Sequence, residues 1–333
     1  VGGGFIRGLW DLEGRSRGES PSYRKTNAVG AASGVTLPDL EDGELGVKAP
    51  LRRRGTVKDP VPAVGIFDSG VGGLSVWREL VRLAPQIPTL YVADQAHVPY
   101  GPRPPEEIRR FAEAITRFLQ DQGAQVIILA SHTTSAAALW PLRETFPEIP
   151  FVGIEPAVKP AAARTRSGVI GVLGTFGTLN GPLMARVVER FARDVRVIPR
   201  VCTGWVEQVE AGLLEGPEAE ACIRAHLDPV LQAGADVLVL ACTHYAFLAP
   251  LIQRLSGPEV LLIDPAPAVA RRALEVWHVQ AGELSQFSEP TARFFTTGDP
   301  LRFQEQLRRL IGWEGRVEHL HWDIPERSLS LEK

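Results

Sequence analysis

From residue 63 onward, short runs that are apolar throughout alternate with longer segments whose apolar residues recur every three or four positions. V-G-I-F at 64–67 is followed by a helical pattern to about Leu83 and then by T-L-Y-V-A at 89–93. Uniformly apolar runs of this length suit strands buried on both faces, and the intervening helical segments supply the crossovers of parallel βαβ units. The same pattern predicts strands at 126–130, 151–154, 169–173, 195–198, 237–241 and 260–263. Ligands of such sheets bind beyond the carboxyl ends of the strands, so the residues that follow each run are where chemistry is expected. Residues 1–60 show no sustained period and are rich in Gly, Ser, Arg and acids, which predicts a disordered extension outside the core. The sole methionine is Met184, and Val1 reads as a valine start codon, with the true start expected further downstream.

Two pairs of runs repeat along the chain. G-A-Q-V-I-I-L-A-S at 123–131 matches G-A-D-V-L-V-L-A-C at 234–242 with an offset of 111, and A-V-G-I-F-D at 63–68 matches V-I-G-V-L-G at 169–174 with an offset of 106. Nearly equal offsets predict two similar α/β lobes, each a mostly parallel sheet flanked by helices. The first is expected over 61–160, with about 265–325 returning to it, and the second over 161–264. If a pseudo-twofold axis relates them, Ser131 and Cys242 flank one cleft from opposite sides, which suits chemistry on both faces of one carbon.

Composition narrows the chemistry. The chain is 44% hydrophobic and 23% charged, with a net charge of -3 and its charges interspersed, a balance that predicts a small-molecule partner and neither nucleic acid nor membrane. Three cysteines, Cys202, Cys222 and Cys242, without C-x-x-C spacing indicate neither a disulfide framework nor a metal site, and a reducing cytoplasm fits. Of five lysines only Lys159 lies in the patterned region, which argues against a pyridoxal phosphate Schiff base. G-V-G-G at 70–73 lacks dinucleotide-fingerprint spacing; its backbone donors suit an anionic group, or else the turn with Asp68 and Ser69 is a helix cap. Cys242 follows a buried strand and is flanked by Thr243, a hydrogen-bond donor, and His244, which can supply a proton or a positive charge. Cys202 and Cys222 read as packing residues.

The runs G-I-F-D-S-G-V-G-G-L-S at 65–75, Y-V-A-D-Q-A-H-V-P-Y-G at 91–101, E-P-A-V-K-P at 155–160, C-T-H-Y at 242–245 and F-F-T-T-G at 294–298 resemble, in order, the signatures of glutamate racemases. The resemblance implies cofactor-independent interconversion of L- and D-glutamate, one cysteine removing the α-proton and a second delivering one to the opposite face, with D-glutamate feeding peptidoglycan synthesis. It implies that Asp68 and Ser69 contact the substrate's amino group and assist proton transfer, that Tyr100 and Gly101 contact its carboxylate, and that Thr133 and Thr243 donate beside each catalytic position. Thr175, Thr178 and Glu210 match further motifs, with structural roles left open. Family members often form homodimers.

The chain departs from that pattern where it matters most. A-S-H-T at 130–133 stands where the family reads A-C-N-T, so Ser131 replaces the first cysteine and His132 its asparagine neighbour. A hydroxyl with a pKa of about 15.7 against about 8.5 for a thiol is a deficit on the order of ten kcal/mol, so Ser131 does not stand in for a thiolate base. Three readings stay open. His132 takes the proton directly or through Ser131, although adjacent residues on an extended backbone point opposite ways. Alternatively this is a one-cysteine enzyme, like the decarboxylases of the wider superfamily, or a weakened racemase kept for binding. A Ser-His hydrolase lacks a G-x-S-x-G elbow, and a metal site at Cys242 and His244 lacks further ligands by spacing.

Overall fold

The computed structural model describes residues 60–281, 291–323 and 328–331. The reading of residues 1–60 as a disordered extension thus lies outside the described residues, save for Pro60. In chain order the elements are β1 (Ala63–Asp68), α1 (Leu74–Leu83), β2 (Thr89–Ala93), α2 (Pro105–Asp121), β3 (Ala124–Leu129), α3 (His132–Thr145), β4 (Phe151–Gly153) and α4 (Val158–Ala162). There follow β5 (Val169–Gly174), α5 (Phe176–Leu179), α6 (Pro182–Phe191), β6 (Arg196–Val201), α7 (Trp205–Glu210), α8 (Pro217–Gln232), β7 (Val237–Ala241), α9 (Tyr245–Ser256) and β8 (Leu261–Ile263). The last are α10 (Ala266–Ala281), β9 (Ala292–Thr296), α11 (Pro300–Ile311), β10 (Val317–Asp323) and β11 (Ser328–Leu331).

The strands form two sheets, β4-β3-β1-β2-β9-β10-β11 and β8-β7-β5-β6. The first four strands of the larger sheet repeat the order of the smaller one, with β3 matching β7 and β1 matching β5, the two pairs whose sequences repeat. Every pairing is parallel except β10 with β11, so the protein is an α/β fold of mostly parallel sheets flanked by helices. After the smaller sheet the chain returns to the larger one, where β9 pairs with β2 from Thr89↔Ala292 to Ala93↔Thr296.

Alternation along the pleat sorts the core. In β1, Val64 and Ile66 join an apolar cluster with Leu74 and Trp277, while Phe67 faces the other side among Ile115 and Phe118. In β7, Leu238 and Leu240 belong to the first of these clusters and Val237 and Val239 to a third with Met184 and Val187. One continuous apolar cluster therefore touches both sheets, and the pattern of uniformly apolar strands follows from packing on both faces. Two expected strands do not share it. β6 and β8 lie at the edges of the four-stranded sheet, β6 is partly exposed along its length, and Pro199 within it, having no N–H to donate, is compatible with such an edge. No helix among the described residues is long and apolar enough to cross a membrane.

Local signals set the boundaries. Asp299 accepts from Leu301 N and Arg302 N at 2.8 and 3.1 Å, Pro300 opens α11, and Gly312 closes it in the left-handed region at φ 70°. The glycine that begins each repeat has the same use. Gly123 (φ 102°) follows α2 and Gly234 (φ 93°) follows α8, each turning the chain from helix into a site-bearing strand.

These two glycines separate backbone strain from crowding. A Cβ at Gly234 meets nothing within 4 Å, whereas at Gly123 it would lie 2.7 Å from the Val61 carbonyl oxygen. Gly234→Ala should cost about 1–2 kcal/mol, the left-handed penalty alone, and Gly123→Ala distinctly more, read from urea unfolding midpoints.

Candidate active site

The ends of β3 and β7 deliver the two repeat-equivalent segments to one pocket of about 320 Å³, counting its open mouth. On one wall Ser131, beyond the end of β3 but still extended (φ -97°, ψ 131°), caps α3, its Oγ accepting from Thr134 N at 3.3 Å. His132 is the first residue of α3, and both side chains line the pocket. An extended backbone was expected to point them opposite ways, yet both residues line the one pocket. Ser131 keeps extended dihedrals and His132 opens the helix, so the strict alternation of a strand stops between them. On the other wall Cys242, Thr243 and His244 lie between β7 and α9 and all face the pocket.

Cys242 heads a chain of polar contacts. Its Sγ lies 3.9 Å from His244 Nδ1, and His244 Nε2 lies 2.8 Å from Glu210 Oε1. A carboxylate only accepts, so the Nε2 proton stays on the imidazole and Nδ1 is the nitrogen that exchanges a proton with the thiol. Burial disfavours the imidazolium, yet the contacts with Cys242 and Glu210 outweigh it and hold the His244 pKa well above its ordinary value. Burial likewise opposes the Glu210 charge, but His244, the Val71 N–H and Gln306 bring its pKa below the ordinary carboxylate value.

The glycine-rich turn does hold an anion, and the anion is the protein's own. Val71 N donates to Glu210 Oε1 at 3.0 Å. A Cβ on Gly70 would collide with that oxygen, and one on Gly72 with His244 Nδ1 and Thr243 Oγ1, so the glycines are required by close approach. Asp68 and Ser69 do not cap α1, whose N-cap is Gly73. Asp68 instead accepts from Thr243 Oγ1 at 2.8 Å and from Ser69 Oγ at 3.1 Å, a contact that joins the end of β1 to the end of β7.

Tyr100 and Gly101 line the pocket beside Pro99. The Tyr100 hydroxyl donates to Asp94 Oδ2 at 2.6 Å, and burial followed by the Asp94 charge raises its pKa well above normal, so its proton is committed away from any ligand. Asp94 also accepts from Thr297 and Trp322, a buried cluster that none of the sequence motifs suggested. Thr133 sits 3.4 Å from both Thr175 and Thr178, which also line the pocket, and Val206 of α7 completes that side. The one lining residue without any sequence signal is Val206, whose place depends on where α7 docks. Lys159 is exposed over the Phe191 ring, and neither it, Cys202 nor Cys222 lines the pocket.

His132 differs from every other polar group here. It is 2% exposed, and among the described residues neither ring nitrogen meets a partner at good hydrogen-bond geometry. Burial lowers its pKa to about 3, with the Glu155 backbone acting in the opposite direction. A histidine held neutral makes folding acid-sensitive, because below pH 6.5 the unfolded chain binds the proton that the native one refuses. Stability is thus lost as pH falls from 6.5 toward 3. His244, with its pKa raised, loses nothing on acidification, and Glu210 loses its share only below about 4.5, its ordinary value. Between pH 7.5 and 4.5 His132 should therefore cost about 2–3 kcal/mol, and His132→Asn should lose that much less over the same range in urea titrations.

Comparison with known proteins points to one family. The Asp/Glu/hydantoin racemase family matches residues 64–273. A glutamate racemase of Roseiflexus sp. strain RS-1 is 48% identical over 250 residues, 74% of this chain and 91% of that protein. The crystal structure of glutamate racemase isoform RacE1 from Bacillus anthracis superposes with a TM-score of 0.72 at 30% identity, covering 80% of this chain and 98% of the other. That of Escherichia coli glutamate racemase, in complex with L-glutamate and the activator UDP-MurNAc-Ala, gives 0.71 at 30% identity, covering 79% and 99%. With the repeated sheets and the thiol-bearing pocket, these likenesses establish that the chain belongs to the Asp/Glu/hydantoin racemase family, in its glutamate racemase branch.

Proposed function

We propose that this chain interconverts L- and D-glutamate by proton transfer at the α-carbon, with Cys242 as the thiol acid/base on one face and the Ser131–His132 wall on the other, and that its D-glutamate product feeds peptidoglycan synthesis. The observation that carries this reading is the convergence of Cys242 and Ser131, at matching strand ends, on one pocket. Cys242 as thiolate takes the α-proton of L-glutamate while protonated His244 balances its charge, the pair behaving as a general base. Asp68 and Ser69 meet the ammonium group. Because the Tyr100 hydroxyl is bonded to Asp94, the substrate carboxylate is left to backbone N–H groups near Tyr100 and Gly101 and to the hydroxyls of Thr133 and Thr243.

The second face is the weaker one, and magnitudes decide which group serves it. Ser131 falls short of a thiol by on the order of ten kcal/mol, and its Oγ is engaged as a helix cap. His132, with its pKa at about 3, is a poorer base than a free imidazole by about 5 kcal/mol. The smaller deficit favours His132, acting directly or through the Ser131 hydroxyl. A substrate carboxylate brought beside it would return part of that loss by favouring the imidazolium. Racemisation therefore proceeds at the pace of this wall, and transfer confined to the Cys242 face is its limiting case.

Ser131→Cys should raise the rate of D-glutamate formation by at least about a hundredfold, followed by circular dichroism of the reaction mixture, while costing about 1 kcal/mol of stability through the poorer cap. His132→Asn should lower the residual rate of the parent enzyme tenfold or more and have a smaller effect when combined with Ser131→Cys. A Ser131→Cys enzyme no faster than the parent contradicts the assignment of this wall.

A further inference from the structure

Behind the His244–Glu210 pair runs a line of oriented amides for which the chemistry above has no use. Gln306, on α11 and 7% exposed, donates Nε2 to the Glu210 backbone oxygen at 2.7 Å and to Glu210 Oε2 at 3.1 Å. Its Oε1 accepts from Gln95 Nε2 at 2.7 Å, and Gln95 Oε1 accepts from the Thr296 hydroxyl at 3.0 Å. Thr296 Oγ1 in turn accepts from Gly298 N, so its proton is free for Gln95. The direction of the line follows from its end: carboxylate and carbonyl oxygens only accept, so Gln306 must turn its NH2 toward Glu210 and its oxygen toward Gln95. Glu210 Oε1 is taken by Val71 N and His244 Nε2, which leaves Oε2 to Gln306 and, at 3.4 Å, Gln95. Neither glutamine lines the pocket.

We propose that Gln306 is a positioning residue for the proton transfer, fixing the rotation of the Glu210 carboxylate and through it the His244 ring, with Nδ1 toward Cys242. The inference rests on the reading of Cys242 as acid/base. A buried carboxylate that loses a donor on one oxygen turns to recover a partner, and the imidazole bonded to its other oxygen turns with it. Contact with substrate is unaffected, because Gln306 stands outside the pocket. The C-terminal segment, which carries α11, then contributes to catalysis without touching the reacting atoms.

The test compares Gln306→Met, similar in shape without a donor, and Gln306→Glu, which sets a second carboxylate against the first. Both should slow washout of the L-glutamate α-proton in D2O, the step at the Cys242 face, about tenfold or more at saturating substrate, with KM within twofold. Iodoacetamide labelling at pH 7, resolved by peptide mass spectrometry, should slow at Cys242 about fivefold while Cys222, as internal reference, is unchanged. A Gln306→Met enzyme with L-glutamate proton washout and Cys242 labelling within twofold of the parent overturns the proposal, as does a slower washout matched by a rise in KM and altered Cys222 labelling, which marks general loosening. If Gln306→Met does not fold, Gln95→Met replaces it, with washout from L-glutamate about threefold slower at unchanged KM, and an unchanged washout rate overturning the inference. Cys242→Ser separates the two layers: an active Cys242→Ser enzyme sinks the acid/base reading itself, whereas an inactive one beside a fully active Gln306→Met sinks only the role of Gln306.

Discussion

The Glu210 carboxylate is the meeting point on which the rest of the site depends. It accepts from Val71 in the turn after β1, from His244 after β7 and from Gln306 on α11, so three segments far apart in sequence share one charge. Burying a carboxylate costs several kcal/mol unless charge-assisted hydrogen bonds offset it, and here donors cover both oxygens. The requirement propagates outward. Gly70 and Gly72 have no side chains because Glu210, His244 and Thr243 occupy that space, and the Thr243–Asp68 bond closes the same junction from the pocket side.

Around this fixed point the two walls are built alike and equipped differently. β3 and β7 occupy matching places in their sheets, begin after a left-handed glycine and end at the pocket. After β7 the thiol is followed by a histidine tied to a carboxylate. After β3 the hydroxyl is tied to its own helix, and the histidine beside it has no charged partner at hydrogen-bond distance among the described residues. The first arrangement stabilises charge as it forms, while the second must wait for charge to arrive. That difference is a matter of two side chains on one scaffold, so matching strands of a racemase framework carry unlike chemical groups.

Much of this was legible because parallel strands are written in an uninterrupted apolar code. β1, β2, β3 and β7 came from that code, and the offset of 111 residues paired Ser131 with Cys242, which line the same pocket, without any relative for comparison. The code fails at edges. β10 and β11 mix polar and apolar residues because they complete the rim of the larger sheet, and β6 sits half-exposed where a buried strand was expected. Contacts made only by tertiary folding left no local trace. The partners of Glu210 lie 34, 96 and 139 residues away, and the Asp94 cluster gathers Tyr100, Thr297 and Trp322. The joint place of Ser131 and His132 in the pocket escaped the pattern for a smaller reason, since the helix begins at His132, directly after the extended Ser131.

The central claim, that the Cys242 face outpaces its opposite, is tested most directly by α-proton washout in D2O, with L- and D-glutamate followed separately by NMR. The account predicts that L-glutamate exchanges its α-proton faster than D-glutamate appears, and that D-glutamate exchanges more slowly than L. Equal exchange from both enantiomers, in step with racemisation, would show two equivalent bases and contradict it.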